Sequence, residues 1–391
     1  MAPIWRLLKL LHQLLLPLAA LLFLLPLNPT LSSLPAVAWL LLQLLLAAPQ
    51  RRWALWPLGF ALLVMLRSWA LNEMPHPVAG EDALLVVFSL LAATSLGAHS
   101  WAWLPKLWLL PLPLLLLRLG PKPWTPNPLA GPNQGGYLLG LLLLVAVAWL
   151  WQGSWQGGAR PWQRLLAGVA AALALLLVWQ TGSRAALLSG LLALALVLLR
   201  ERWRQGTAWR DGLIVLGLGL LALATKQLLR PSSSGLPGFH PSSDQGRVAI
   251  AQCYAHLPFS GSNRLLWGVG FERPEQFCHQ LINGGVADHA HNLYLQLWAD
   301  TGLLGLLGLV LLVVLLLHSW QRVEMQLQPF PRRLGQAALI YTALQGCFDV
   351  SLLHWPVTQV FTGVLLAIPL AASASGQGPH GGEARVEDLG G

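Results

Sequence analysis

Leucine-rich apolar runs recur along this chain from Leu7 to Ala372. Each is long enough, or nearly so, to cross a hydrocarbon core of about 30 Å as a helix. In lipid every backbone N–H and C=O must be paired within the structure, so such runs leave the chain little choice but helix. Charged residues make up only 10% of the 391 positions, against roughly 25% in a soluble domain. The 20 tryptophans gather at run ends, among them Trp53, Trp56, Trp101, Trp103, Trp151 and Trp155, as in the aromatic belts of membrane interfaces. The expected fold is an all-α, polytopic transmembrane helical bundle with one large, partly helical loop.

Twelve spans are read, at 7–27, 34–48, 53–71, 83–98, 101–119, 136–151, 165–180, 184–199, 211–228, 302–318, 334–352 and 356–373. The first run is followed by Asn28 and Pro29 rather than a small-residue cleavage site, which predicts a retained span rather than a signal peptide. Every connection is short except the one from Gln227 to His291. A formal charge of +9 raises nucleic acid as a partner, but the basic residues sit in short loops between apolar runs, and insertion topology accounts for them. With the N-terminus inside, the cytoplasmic segments hold 14 of the 24 Lys and Arg, and the short outer loops hold 3. This bias places both termini in the cytoplasm and the long loop outside. Of the three cysteines, Cys347 falls in an apolar run, while Cys253 and Cys278 share the long loop. Outside the cytoplasm these two can pair or remain thiols.

Polar chemistry gathers on the outer side. The long loop ends in Asp288-His289-Ala290-His291-Asn292, followed by Leu293, Leu297 and Trp298 at helical spacing. A short interfacial helix is expected to begin just after Asn292, with His291 at its N-terminal end. There the helix dipole favours a neutral imidazole able to accept a proton. The plainer reading is two histidines at a wet interface. A metal site built on His289 and His291 needs further ligands, and Asp288 and His279 are only loosely spaced for the task. In the turn Gln180-Thr181-Gly182-Ser183-Arg184, a Ser183 or Thr181 N-cap puts Arg184 in the first turn of a helix. Free amides and a guanidinium together suit phosphate oxygens, whereas a snorkelling arginine is the structural alternative. Arg247 precedes a helical stretch from Val248 to Ala255 and is by itself an ordinary solvated arginine. The stretch Gly268-Val269-Gly270-Phe271 is a glycine loop without the context of a dinucleotide fingerprint.

His291-Asn292, nine residues, then Gly302-Leu303-Leu304-Gly305 resembles the signature of the O-antigen ligase and polymerase superfamily. Thr181-Gly182-Ser183-Arg184 is similar to that family's outer arginine turn, and Gly246-Arg247 with Gly268-Val269-Gly270-Phe271 to its large periplasmic loop. The recognisable part runs from about Thr181 to Gly305. One departure is that Phe259 to Trp267 separates Pro258 from the glycine loop, where the family has the two close together. The resemblance divides the chain into N-terminal transmembrane helices (1–180), the outer arginine turn with spans eight and nine (181–226), a large periplasmic loop with short interfacial helices (227–301), C-terminal transmembrane helices (302–373) and a disordered cytoplasmic tail (374–391).

The resemblance implies a glycosyltransferase of the bacterial inner membrane. It would move a glycan from a polyprenyl diphosphate carrier to an acceptor hydroxyl, lipid A-core in a ligase or another carrier-linked repeat in a polymerase. A diphosphate leaves as a stabilised anion, so the needs are cations on the leaving group and a base on the acceptor. Arg184 and Arg247 are expected to bind the diphosphate and His291 to act as base, with His289 and Asn292 positioning substrate and base. Inversion at the anomeric carbon is expected, with no cofactor or metal. Membrane lipids are the other expected partners. A solute or inorganic-carbon transporter is the rival class; its intramembrane charges would have to come from Arg67, Lys106 and Asp349.

Overall fold

The computed structural model describes residues 2–24, 29–46, 59, 63, 66–67, 81–96, 98–115, 131–155, 160–204, 241–278, 280–282, 285–287, 289–323, 327–353 and 355–374. The expected ninth span, the tail beyond 374 and most of the third span lie outside these residues, as do His279 and Asp288. The described chain is helical apart from one small hairpin. In order it forms α1 (Ala2–Leu24), α2 (Pro29–Leu46), α3 (Glu81–Ala93), α4 (Ala98–Leu107), α5 (Pro111–Leu115), α6 (Gly131–Trp155), α7 (Pro161–Thr181) and α8 (Arg184–Arg204). The loop region supplies α9 (Pro241–His256), a 3-10 turn (Leu257–Ser260), α10 (Ser262–Trp267), α11 (Pro274–Cys278), and the antiparallel strands β1 (Gln280–Ile282) and β2 (Gly285–Ala287). The chain closes with α12 (Leu293–Val323), α13 (Pro329–Gly346), α14 (Pro356–Leu366) and α15 (Ile368–Ala374).

Among the described residues three helices are long and apolar enough to cross a membrane: Asn133–Gln152, Pro161–Thr181 and Leu293–Gln321. Shorter apolar helices occur at Leu11–Leu24, Ser33–Leu44, Leu84–Ala93 and Pro356–Leu366. Several expected spans end differently, for reasons that proline and glycine supply. The fifth is broken into α4 and α5 by a turn in which Trp108, Leu109 and Leu110 bond three residues back. Pro111 has no N–H with which to continue the first helix. The eleventh stops at Gly346 rather than 352, and the residues after it turn away from the helix axis. The tenth does not begin at 302: the helix starts at Leu293 and bends at Gly302, whose φ of 63° and ψ of −156° are non-helical.

The core is a leucine- and alanine-rich interior lined by Trp39, Trp101, Trp108, Tyr137, Tyr341 and Phe361, all buried. α6 packs against α7, α8 and α13, while α14 packs against α3. One ion-pair knot fixes the direction of two of these helices. Arg332 and Arg333 at the start of α13 hold Glu201 near the end of α8, at 2.6 and 2.8 Å. The two helices therefore run antiparallel, and the N-terminus of α8 shares an end of the bundle with the C-terminus of α13. Gly136, near the start of α6, lies at that same end, because a Cβ there would meet the Ser183 side chain at 2.7 Å.

Candidate functional site

The His-Asn-x9-Gly-x2-Gly pattern is a sequence of local structural instructions. Asn292 is the N-cap of α12: its Oδ1 accepts from the backbone N–H of Tyr294 and Leu295, both at 3.0 Å. Nine residues of helix follow. The bend at Gly302 strands the carbonyls of Ala299 and Asp300, which lose their intrahelical donors. The glycine loop supplies replacements: Val269 N–H donates to Ala299 O at 2.9 Å and Gly270 N–H to Asp300 O at 3.0 Å. The contact is backbone on backbone, since a Cβ on Gly268 would sit 2.3 Å from Asp300 O and one on Gly302 would sit 2.5 Å from Gly268 N. One turn on, Gly305 faces Thr301, whose hydroxyl donates to Leu297 O at 2.5 Å; a Cβ on Gly305 would overlap Thr301 Oγ1 at 1.6 Å.

This frame holds the segment that carries the histidines. Ala290 N–H donates to Gln296 Oε1 at 3.2 Å, and Gln296 in turn donates to Asp300. Asn292 Nδ2 donates to the carbonyl of Cys347 at 3.0 Å, tying the start of α12 to the turn after α13. Between these anchors His291 takes a φ of 51°, uncommon for a residue with a Cβ. Its ring lies 4.1 Å from that of His289, tilted by 56°.

Asp349, in the turn after α13, completes the group. Its Oδ1 lies 3.7 Å from His291 Nδ1, and its Oδ2 accepts from the Ser351 hydroxyl. The three ligand atoms offered by His289, His291 and Asp349 all fall within 4.8 Å of one another. At 3.7 Å the His291–Asp349 pair is an electrostatic contact rather than a hydrogen bond, and both facing atoms are buried without another hydrogen bond from the protein. Burial of the Asp349 carboxyl works to raise its pKa. The His291 side chain, the Ser351 hydroxyl and the charge of His289 outweigh that, so the carboxyl is held below its ordinary value. The hydropathy pattern puts Asp349 inside the eleventh span, and the acidic residue weighed beside the histidines in the sequence is Asp288 instead. The Asp349 carboxylate lies 58 positions downstream of His291 and is brought in only by the early end of α13.

Arg184 and Arg247 lie on separate elements from this triad. Arg184 is the first residue of α8, exposed, with Ser183 Oγ accepting from Ala186 N–H at 3.3 Å and Gly182 in a left-handed conformation closing α7. The expected cap and first-turn position are both observed. The helix directions fixed above put it at the end of the bundle where α13 finishes, the end that carries Asp349. Arg247 is exposed on α9, which packs against α12. It shares a helix face with Ile250 and Tyr254, three and seven residues on. Those two are buried in a small cluster with Cys278, Ala290 and Ala299, so the face bearing Arg247 is turned toward the residue between the two histidines. Trp298 Nε1 donates to Ala255 O at 3.0 Å, and a Cys253–Cys278 disulfide ties α9 to α11.

The three charges considered for a transport path are engaged locally. Arg67 lies over the Trp267 ring at 5.3 Å. Lys106 donates to Gln152 at 3.1 Å and lies over Phe330 at 4.7 Å. Asp349 belongs to the histidine pair.

Residues 133–310 match the family model described as O-antigen ligase. The matched stretch includes Arg184, Arg247, both histidines and the glycines of the bend, and stops short of Asp349. No curated protein matches the chain. The match supports the O-antigen ligase superfamily for this central stretch, and members of that family are ligases and polymerases of the glycosyltransferase type.

Proposed function

We propose that the protein is a metal-independent, inverting glycosyltransferase of the O-antigen ligase type. It moves a glycan from a polyprenyl diphosphate carrier to a hydroxyl of lipid A-core on the periplasmic face of the inner membrane. The observation that carries this reading is the His291–Asp349 pair, with Nδ1 facing a buried carboxylate at 3.7 Å. A carboxylate on one ring nitrogen leaves Nε2 for the acceptor and balances the charge that develops as the imidazole takes a proton. The acceptor O–H gives its proton to Nε2 as its oxygen bonds to the anomeric carbon. The bond from that carbon to the diphosphate oxygen breaks on the opposite face. The diphosphate leaves with the bonding electrons, stabilised by the Arg184 and Arg247 guanidiniums. Asn292 holds the base in register, and His289 packs beside it.

Two further observations support the orientation. The Cys253–Cys278 disulfide suits an oxidising compartment on the loop side, and the charge bias of the short loops points the same way. Two imidazoles and a carboxylate also form a metal-ligand set, so the test must separate a base from a ligand. Purified enzyme is assayed with carrier-linked glycan and acceptor, with and without chelator. His291→Ala should lower the rate by about 10²–10⁴, the range for a positioned base. His289→Ala should cost much less, and the product should have inverted anomeric configuration. Reversible loss with chelator, or a dead His289→Ala beside an active His291→Ala, would overturn the assignment.

A further inference from the structure

The stretch that departs from the family pattern, Phe259 to Trp267, builds a surface of its own. It forms the end of the 3-10 turn and all of α10, and it leaves Phe259 66% and Leu266 46% exposed. Guanidiniums are threaded among its rings. Arg264 donates to Ser260 Oγ at 2.8 Å and lies 5.6 Å from the centre of the Phe277 ring; Arg273 lies 6.0 Å from the same ring. The nearby Glu272 and Glu275 act electrostatically on the buried Asp300, on the inner side of this layer.

The position of this surface says what it meets. α10 packs on α12, and a Cβ on Gly302 would touch the Leu266 carbonyl at 2.7 Å. Leu266 therefore sits level with the bend, where Leu303 and Leu307, each 51% exposed, begin the exposed apolar row of α12. The Phe259 ring lies tilted against that of Trp298, about one turn on the loop side of the bend, at 5.6 Å. Exposed apolar side chains of the 3-10 turn and α10 thus lie beside the exposed apolar row of α12, with Arg264 and Arg273 next to them. Aromatic rings and arginines at that level are what a phosphate headgroup layer accommodates.

We propose that the 3-10 turn and α10, with Phe277, form a docking surface for the anionic phosphate headgroups of the leaflet that the loop faces. Phe259 and Leu266 enter the acyl boundary, while Arg264 and Arg273 pair with lipid phosphates. The proposal rests on the chain's being a membrane protein and not on its catalytic assignment.

The experiment uses the full-length protein in lipid nanodiscs on a Cys347→Ser background, with a fluorophore on Phe259→Cys, Leu266→Cys or Val248→Cys. Val248 is a matched control, apolar and 57% exposed, but five residues from Cys253 and so about 140° around α9 from the side that meets Phe277. Retention of the Cys253–Cys278 disulfide on gels reports an intact loop for each variant. Labels at 259 and 266 should be quenched by lipid-borne nitroxide and shielded from an aqueous quencher, and the label at 248 should show the reverse. Quenching at 266 should favour nitroxide phosphatidylglycerol over nitroxide phosphatidylcholine by up to about five-fold for each guanidinium. That preference should fall toward unity in Arg264→Gln/Arg273→Gln. Aqueous quenching at 259 and 266 equal to that at 248 would overturn the proposal. So would shielding from both quenchers, which would mean a protein partner or a second copy, and so would equal quenching by the two lipids.

Discussion

Replacing Gly302 by alanine tests whether the glycines of the motif act through the bend. The residue sits at φ 63°, ψ −156°, a region reserved in practice for glycine, where another residue costs about 1–3 kcal/mol. The new methyl group would also meet Gly268 N at 2.5 Å and Leu266 C at 2.7 Å. Both are backbone atoms that cannot rotate aside, so the glycine loop must lift. Lifting it breaks the bonds from Val269 to Ala299 and from Gly270 to Asp300, at about 1 kcal/mol each. With the strain this amounts to about 3–5 kcal/mol against the closed loop, or two to nearly four decades in its opening equilibrium at about 1.4 kcal/mol per decade. Hydrogen exchange in detergent or nanodiscs reads this directly. The amides of Val269 and Gly270 should lose protection by that factor, while those in the middle of α6 stay unchanged. Unaltered exchange at 269 and 270 would refute the reasoning, because the methyl group would then have been absorbed without moving the loop.

Other outcomes follow from the same structure. Because the folded-state pKa of Asp349 is depressed, its ionised form stabilises the fold above the ordinary carboxylate pKa of about 4. That stabilisation should fade as pH falls through the lower folded value. Melting curves of wild type and Asp349→Asn should therefore differ most at neutral pH and converge in acid; a constant gap would argue against the pairing. Cys253→Ser removes a crosslink between residues 25 apart in sequence, which should destabilise the loop by about 3 kcal/mol, seen as faster proteolysis between Pro241 and Ala287. Single cysteines at Ser233 and Gln276 should react with an impermeant thiol reagent in intact spheroplasts, and one at Gln205 only after lysis. Reversed labelling would invert the topology and with it the assignment of the site to the periplasm.

The legible parts of the site were those encoded within a few turns of chain. The start of a helix just after Asn292 and the capped Arg184 turn depend on neighbours close in sequence, so the residue order carried them, whereas the continuation of that helix into the tenth span through a bend at Gly302 was not read. Asp349 depended on something else. The apolar pattern runs on through Val350 and Leu352 without marking where α13 stops, and the partner that makes this aspartate worth placing there is 58 residues away. The glycine loop was readable as a loop, but its role as surrogate donor to the broken helix was not, since that pairing exists only once 268–270 and 299–302 are apposed. The divided fifth span follows from Pro111, whose effect was outweighed in the reading by the hydropathy around it. The same hydropathy identified the membrane character of the chain, because that property needs no tertiary information.

Asn292 uses both ends of one carboxamide. Its oxygen serves the first turn of α12 and its nitrogen serves the Cys347 carbonyl, so a single planar group with fixed polarity spans the two chain segments that carry His291 and Asp349. An aspartate in its place could cap the helix but would set a negative oxygen against the carbonyl, pushing apart the His291 and Asp349 segments. A serine would cap too, yet its tip is too short to bridge the gap. The spacing of the His291–Asp349 pair is thus gauged by the length and dipole direction of a neutral side chain, and substitutions here should detune the pair while leaving the helix intact.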